Sequence, residues 1–115
     1  MSDKFKHMSI GNFDLVYELN KPIIFKHLAL NNFKITDSSL QLNYFNVILK
    51  AYASNKLPKG VYTISEDASV ERENIDDQEF LVLLYRSKKE IMNKIDVMVL
   101  QSIFDRFLSK IELFG

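Results

Sequence analysis

The sequence predicts a small α+β domain, because stretches with strand periodicity and stretches with helix periodicity occur along a chain of single-domain length. The chain has 115 residues, of which 47% are hydrophobic, and its nine Phe and five Tyr supply large side chains for a core. The sequence shows no internal repeat and no linker. We therefore expect a single domain over residues 1–115, with residues 1–9 disordered or partly derived from a purification tag.

The N-terminal strand is predicted over residues 12–19, where apolar and polar residues alternate with the period of a half-buried strand. Residues 22–35 suit two structures. Asn20 and Pro22 are typical of a helix start, so a short helix is the preferred interpretation. Apolar alternation on both sides of residues 31–32 would instead suit two strands that turn at that pair.

A helix is predicted over residues 38–54, because Ser38 and Gln41 have the spacing of a capping box and apolar residues then recur at helical intervals. A β-hairpin is predicted from two later stretches. Residues 60–66 begin with a glycine and continue as a short strand. Residues 79–86 are a continuous apolar run that is typical of a buried strand.

The last predicted element is a long helix over residues 88–113, a span without Gly or Pro. Its apolar residues cover more than the single stripe that a surface helix needs to bury. This excess predicts that the helix is either central to the core or shared with a partner, and a homodimer through this helix is the preferred interpretation. The residues assigned to the interface are Val99, Ile103, Phe104, Phe107, Leu108 and Ile111.

The sequence contains few of the patterns on which enzymatic sites depend. It has no Cys, three Gly and two His. His7 and His27 lie in different segments without metal-ligand spacing, and no glycine-rich phosphate loop is present. We therefore predict a non-enzymatic protein without a cofactor or a metal. The lack of a long apolar run and of a signal-peptide pattern predicts a cytoplasmic protein with no membrane partner.

The formal net charge is zero, but residues 61–79 hold seven acidic residues and one arginine, a balance of −6. Most of these acidic residues lie in the acidic segment, residues 65–78, which connects the two predicted hairpin strands and has two interpretations. It is either a solvated connection or a docking patch that attracts the basic surface of a protein partner. The residues assigned to the patch are Glu66, Asp67, Glu71, Glu73, Asp76 and Asp77.

The predicted order of elements also suits a winged helix-turn-helix protein that dimerises through its C-terminal helix. Residues 28–42, LALNNFKITDSSLQL, resemble a helix-turn-helix, with Ala29 before the turn and Ile35 within it. Against DNA binding, the would-be recognition helix offers one basic residue, and the would-be wing is acidic, so phosphates would repel it. The residues that the resemblance implies as DNA-binding are Ser38, Gln41, Asn43, Asn46 and Lys50.

The first hypothesis from the sequence is a small regulatory or adaptor protein that acts by protein–protein contact. It depends on the lack of a catalytic pattern, on the acidic segment and on the broad apolar arc of the last helix. The Asn- and Lys-rich, Cys-free composition suggests a bacterial or phage origin. A winged-helix transcriptional regulator is the alternative, which makes nucleic acid the second class of partner.

Overall fold

A computed structural model of the chain describes residues 5–11, 13–18, 24–30, 33–36 and 40–114. Within these residues the chain is a small α+β domain of two antiparallel sheets and two helices, which confirms the predicted fold class. The body is elongated, with a Cα radius of gyration of 14.0 Å and extents of 53 × 27 × 23 Å. Neither described helix is long and apolar enough to cross a membrane.

The first sheet is built from the N-terminal half of the chain. Strands β1 to β4 pair in chain order, and β5 pairs with the start of β3. β2 confirms the predicted N-terminal strand, and β1 lies where no strand was predicted. The five strands of this sheet in the described residues are β1 (Phe5–Ile10), β2 (Phe13–Glu18), β3 (Ile24–Leu30), β4 (Phe33–Ile35) and β5 (Leu40–Gln41).

The preferred helix over residues 22–35 is wrong, because β3 and β4 occupy most of this span. β3 pairs with β2 on one side and with β4 on the other, and Leu30 lies opposite Phe33. The alternative interpretation as two strands is therefore confirmed. Helix-start signals act locally, whereas the pairing of β3 with β2 is a tertiary interaction that overrides them.

The second sheet is a four-stranded meander in the order β6-β7-β8-β9. Both strands of the predicted hairpin are present, as β6 and β8, but the acidic segment forms a strand of its own, β7, that lies between them. Residues 68–75, in the middle of the acidic segment, are therefore a strand and not a connection. The four strands are β6 (Val61–Thr63), β7 (Ala68–Ile75), β8 (Gln78–Tyr85) and β9 (Lys88–Met92).

Two helices, α1 (Leu42–Ala53) and α2 (Lys94–Phe114), pack against each other. The capping box predicted for α1 is wrong, because Gln41 belongs to β5 and caps the helix without a side-chain hydrogen bond. The predicted start of the long helix at residue 88 is also wrong, because residues 88–92 pair with β8 as β9.

The start of α2 is fixed by a reciprocal pair of hydrogen bonds. The Asn93 backbone N–H donates to Asp96 Oδ2 at 3.1 Å, and the Asp96 N–H donates to Asn93 Oδ1 at 2.8 Å. This is the geometry of a capping box, with Asn and Asp in place of the commoner residues. The helix therefore begins immediately after Asn93.

One hydrophobic core joins the inner sides of both sheets to the two helices. Phe45 of α1 meets Phe104 of α2 edge to face, with ring centroids 5.2 Å apart. At the junction of the sheets, the Thr36 backbone N–H donates to the Tyr85 hydroxyl at 3.1 Å. These contacts leave the second side of each sheet facing away from the core.

Candidate protein-binding surface

The register of the second sheet decides which side chains face the core. Successive residues of a strand point to opposite sides of a sheet, and residues directly opposite each other on paired strands share a side. On β8, Leu81 and Leu83 belong to the core cluster. Phe80 and Val82 therefore point to the outer side, together with the residues that pair with them on β7 and β9.

A row of four paired residues crosses the outer side of this sheet: Val61, Glu71, Val82 and Ile91. Val82 is 0% exposed although it is not part of the core cluster, so other outer side chains cover it. At the ends of the row, Val61 is 61% exposed and Ile91 is 48% exposed. We call this surface the outer sheet face, and its residues are Val61, Glu71, Glu73, Phe80, Val82, Leu84, Lys89 and Ile91.

Two acidic side chains lie on this face without an ion-pair partner among the described residues. Glu71 and Glu73 are half-buried, and within the described residues neither has a hydrogen-bond or ion-pair partner. Arg72, between them, points to the inner side, where Nη2 lies 3.2 Å from Glu79 Oε2. Its Nη1 donates to the Leu57 carbonyl oxygen. The arginine therefore neutralises Glu79 and leaves the two outer carboxylates unpaired.

The other acidic residues assigned to a docking patch lie at the two ends of β7. Asp76 and Asp77 form the two-residue turn into β8, and both have positive φ angles, of 51° and 65°. Glu66 and Asp67 lie before β7, where Asp67 Oδ2 is 3.7 Å from Arg86 Nε. Because β7 is roughly 27 Å long, the six assigned acids do not form one patch.

The α2 helix has an apolar stripe on each of two sides. Phe104 and Phe107, which the sequence assigned to a homodimer interface, are fully buried in the chain's own core. On the opposite side Ile95 is 71% exposed, and Met98 and Val99 are half exposed. We call this surface the outer helix face, and its residues are Ile95, Met98, Val99, Ser102, Ile103 and Arg106.

The interface assigned from the sequence therefore mixes residues of both stripes. Val99 and Ile103 lie on the outer helix face, Leu108 is half-buried, and the side chain of Ile111 lies outside the described part of the chain. Ile95 and Met98 were missed. The capping signal at residues 93–96 would have placed the helix start and identified these two residues as members of its first exposed turn.

Two of the polar residues assigned to DNA binding, Asn46 and Lys50, contact an acidic residue of α2. Asn46 is buried between the helices, where its Nδ2 donates to Asp105 Oδ1 at 2.9 Å. Lys50 Nζ lies 3.2 Å from the same oxygen. The hydrogen bond from Asn46, assisted by Lys50, lowers the pKa of Asp105 below its ordinary value. These three residues form a polar contact that holds α1 against α2.

The helix-turn-helix arrangement is not found in the described residues. Gln41 and Asn43 are exposed at the start of α1, and Ser38 lies outside the described part of the chain. In a helix-turn-helix a first helix precedes the recognition helix. Here residues 24–30 and 33–35 are strands, so the structural basis of the resemblance is wrong.

A polar cleft of about 120 Å³ lies where the two helices meet the β7–β8 hairpin. Tyr52 Oη donates to the Glu79 carbonyl oxygen at 3.0 Å, and burial, with Glu79 nearby, raises the pKa of Tyr52. Lys94 Nζ donates to Asn55 Oδ1 at 3.0 Å, and Arg72 contacts Glu79. Each of these polar groups has a partner within the chain, so the cleft serves to join the helices to the hairpin.

A serine, a histidine and an aspartate meet on the outer side of the first sheet, where the sequence predicted no cluster. Ser9 Oγ donates to Asp14 Oδ1, and His7 Nε2 lies 3.4 Å from Ser9 Oγ and 3.5 Å from Asp14 Oδ1. In a nucleophilic triad the serine and the aspartate contact different nitrogens of the histidine. Here both contacts involve Nε2, so the geometry is that of a surface polar cluster.

No family model matches the chain, and no curated protein and no solved structure matches it either. Within the described residues, no group of three or more His, Asp and Glu side chains could hold a metal ion. The outer sheet face and the outer helix face both expose large apolar side chains.

Proposed function

We propose that the chain is a non-enzymatic protein-binding module with a regulatory or adaptor role. Its docking surface is the outer sheet face, and its partner presents basic side chains beside apolar ones. The observation that carries the proposal is the pair of half-buried carboxylates, Glu71 and Glu73, that lie beside apolar side chains without an ion-pair partner among the described residues.

The apolar residues of the outer sheet face support the proposal that a partner covers this surface when the protein acts. In an antiparallel sheet with one solvated side, that side is usually polar. Here Phe80 and Leu84 are half-buried on the outer side, and Val61 and Ile91 expose large apolar areas. A contiguous apolar patch that is rimmed by polar groups commonly marks a site of protein contact.

The two carboxylates of the outer sheet face support the proposal that the partner presents basic side chains. Removing water from a carboxylate costs free energy unless a cation or hydrogen-bond donor replaces it. A purely apolar binding protein would therefore leave the Glu71 and Glu73 carboxylates desolvated and unpaired. A Lys or Arg from the partner would form charge-assisted hydrogen bonds with them. The same attraction speeds encounter at low ionic strength and weakens as salt screens it.

The proposal is tested with two helical peptides that differ only in charge. One is amphipathic and built from Leu and Lys, and in the other each Lys is replaced by Glu. We expect the Leu/Lys peptide to bind, with an affinity that falls as salt rises, and the Leu/Glu peptide not to bind. Fluorescence anisotropy of the labelled peptides measures both affinities.

Two charge reversals locate the binding site on the surface. Glu71→Lys should weaken binding of the Leu/Lys peptide by roughly tenfold or more, which corresponds to about 1.4 kcal/mol. Glu66→Lys makes the same change of charge at an exposed site away from the outer sheet face and is the matched control. Equal affinities of the two variants, or equal binding of the two peptides, would overturn the proposal.

A further inference from the structure

We propose that the partner on the outer sheet face is a second copy of this chain, which contributes its outer helix face. The chain would then assemble head to tail, with α2 of one copy across the second sheet of the next. This inference rests on the proposed function, because it names the partner of the same docking surface.

The outer helix face has the chemistry that the outer sheet face requires. Ile95, Val99, Ser102 and Arg106 follow one another at intervals of four, three and four residues, so they lie along one side of α2. The first two are exposed and apolar, and the serine is small enough for close approach. Arg106 is exposed, and within the described residues it has no hydrogen-bond or ion-pair partner.

The two surfaces also agree in length. At 1.5 Å per residue, the stretch of α2 from Ile95 to Arg106 is about 16 Å long. The row from Val61 to Ile91 crosses four strands about 4.8 Å apart, which gives about 14 Å. A helix laid along this row could place its apolar turns on the valine and isoleucine side chains and its arginine near the acidic pair.

The position and charge of the two surfaces favour a head-to-tail contact over a symmetric contact between two outer sheet faces. Leu100 of α2 and Leu83 of β8 share the core, so the outer helix face and the outer sheet face point to opposite sides of the chain. A two-fold contact pairs a surface with itself. The outer sheet face against itself would bring Glu71 and Glu73 of two copies together, which like-charge repulsion opposes.

The experiment uses two variants that each disable one surface. Glu71→Lys/Glu73→Lys changes the outer sheet face, and Ile95→Ser/Val99→Ser changes the outer helix face. Sedimentation velocity over a concentration series should show at least a twofold rise in the weight-average mass of the unmodified chain. Each variant alone should remain monomeric, because it retains only one half of the contact.

An equimolar mixture of the two variants should form a one-to-one dimer that grows no further. In the mixture, the intact helix face of one variant meets the intact sheet face of the other, and the remaining faces are disabled. A dimer in the sheet variant alone, together with a monomeric helix variant, would indicate a symmetric α2–α2 contact and would overturn the inference. Circular dichroism checks that both variants are folded, and Val99→Ser alone replaces the double variant if it is not.

The failure of this inference can be told apart from the failure of the proposed function. If the unmodified chain stays monomeric while Glu71→Lys weakens binding of the Leu/Lys peptide, the docking surface stands and the second copy is not its partner. If the chain associates but the sheet variant associates equally well, the outer sheet face has no part in the contact. Absence of both self-association and peptide binding would overturn both proposals.

Discussion

The outer sides of the two sheets each carry acidic residues, and the surroundings of Asp14 differ from those of Glu71 and Glu73. On the first sheet, Asp14 is contacted by Ser9 and His7 from the neighbouring strand. On the second sheet, Glu71 and Glu73 lie among apolar side chains, and none of the described residues pairs with them. Both sheets are antiparallel and bury their other side in the same core.

Asp14 therefore has polar partners within the chain, whereas Glu71 and Glu73 have none among the described residues. Exposed charged groups with local partners keep most of their hydration, and such ion pairs contribute little to the free energy of unfolding. Half-buried carboxylates without partners lose hydration and gain nothing until a cation arrives. The second sheet is therefore the side on which a covering partner would bring the larger gain.

The largest expected effect comes from an identical substitution at the centre of each outer side. Val82→Asp buries an unpaired charge at a site with 0% exposure and should lower the free energy of unfolding by about 3 kcal/mol or more. Val16→Asp, at a half-buried site opposite His7 on β1, should cost less than about 1 kcal/mol. Urea unfolding measures both, and equal losses would contradict the distinction between the two sides.

The turns of the two sheets give a smaller and opposite pair of effects. The β1–β2 turn has Gly11 at a φ of 58°, whereas the β7–β8 turn has Asp77 at a φ of 65°. Gly11→Ala should destabilise the chain by about 1 kcal/mol, because alanine is strained at positive φ. Asp77→Gly should stabilise it by up to about 1 kcal/mol, because glycine relieves that strain.

Thermal or urea unfolding of the two turn variants gives the sign of each change directly. A loss of stability in Asp77→Gly would show that the aspartate side chain contributes a contact to the turn that outweighs the strain. The outer sheet face should be unaffected, so binding of the Leu/Lys peptide to Gly11→Ala should equal that of the unmodified chain.

A carboxylate with partners should respond to pH in a way that is set by its lowered pKa. The pKa of Asp105 in the folded chain lies below its ordinary value of 3.8, chiefly because Asn46 donates to it. Its contribution to stability is therefore complete above that value and is lost as the pH falls through the folded pKa. Because the side chain is 45% exposed, we expect Asp105→Asn to cost less than about 1 kcal/mol near neutral pH.

The pH dependence is measured as the difference in unfolding free energy between the unmodified chain and Asp105→Asn. This difference should stay constant from neutral pH down to the ordinary pKa of the carboxyl group, and it should shrink as the pH falls further and the native carboxylate takes up its proton. A difference that stays constant below the ordinary pKa as well would show that the contact depends on hydrogen-bond geometry and not on the charge.

The smallest expected effect concerns the unpaired acids. Glu71→Gln should raise the free energy of unfolding by a few tenths of a kcal/mol at low salt, because it removes repulsion with Glu73. Asp14→Asn should lower it slightly, because it removes a charged partner of His7 and Ser9. Opposite signs for the two amide substitutions would support the distinction between Asp14 and the unpaired acids, and equal signs would contradict it.

The fold was predicted best where local periodicity and tertiary pairing agree. The alternation in residues 12–19 predicted β2, and the helical spacing after residue 42 predicted most of α1. Lys88 to Met92 was predicted as helix, since its pattern continues into α2 without a Gly or Pro. The structure makes it a strand because β8 offers it hydrogen-bond partners, which a local pattern cannot reveal.

The sequence predicted the negative charge of the outer sheet face but not the arrangement of its residues. The excess of acids in residues 61–79 was visible, but Asp76-Asp77 does not have the usual glycine of a two-residue turn, so β7 was not predicted. Without the register, nothing showed that Glu71 and Glu73 share a side with Val82, whereas Arg72 points away. A shift of one residue in the pairing of β7 with β8 would have placed Glu71 and Glu73 on the inner side and Arg72 on the outer side.

The most direct test of the central claim follows the methyl groups of both sheets by NMR during titration with the Leu/Lys peptide. Val61, Val82 and Ile91 lie on the outer sheet face, and Val16 lies on the outer side of the first sheet as an internal control. We predict that the methyl resonances of Val61, Val82 and Ile91 shift in proportion to the bound fraction while those of Val16 stay in place. Shifts centred on Val16, or equal shifts with the Leu/Glu peptide, would contradict the claim that the outer sheet face is a docking surface for a basic partner.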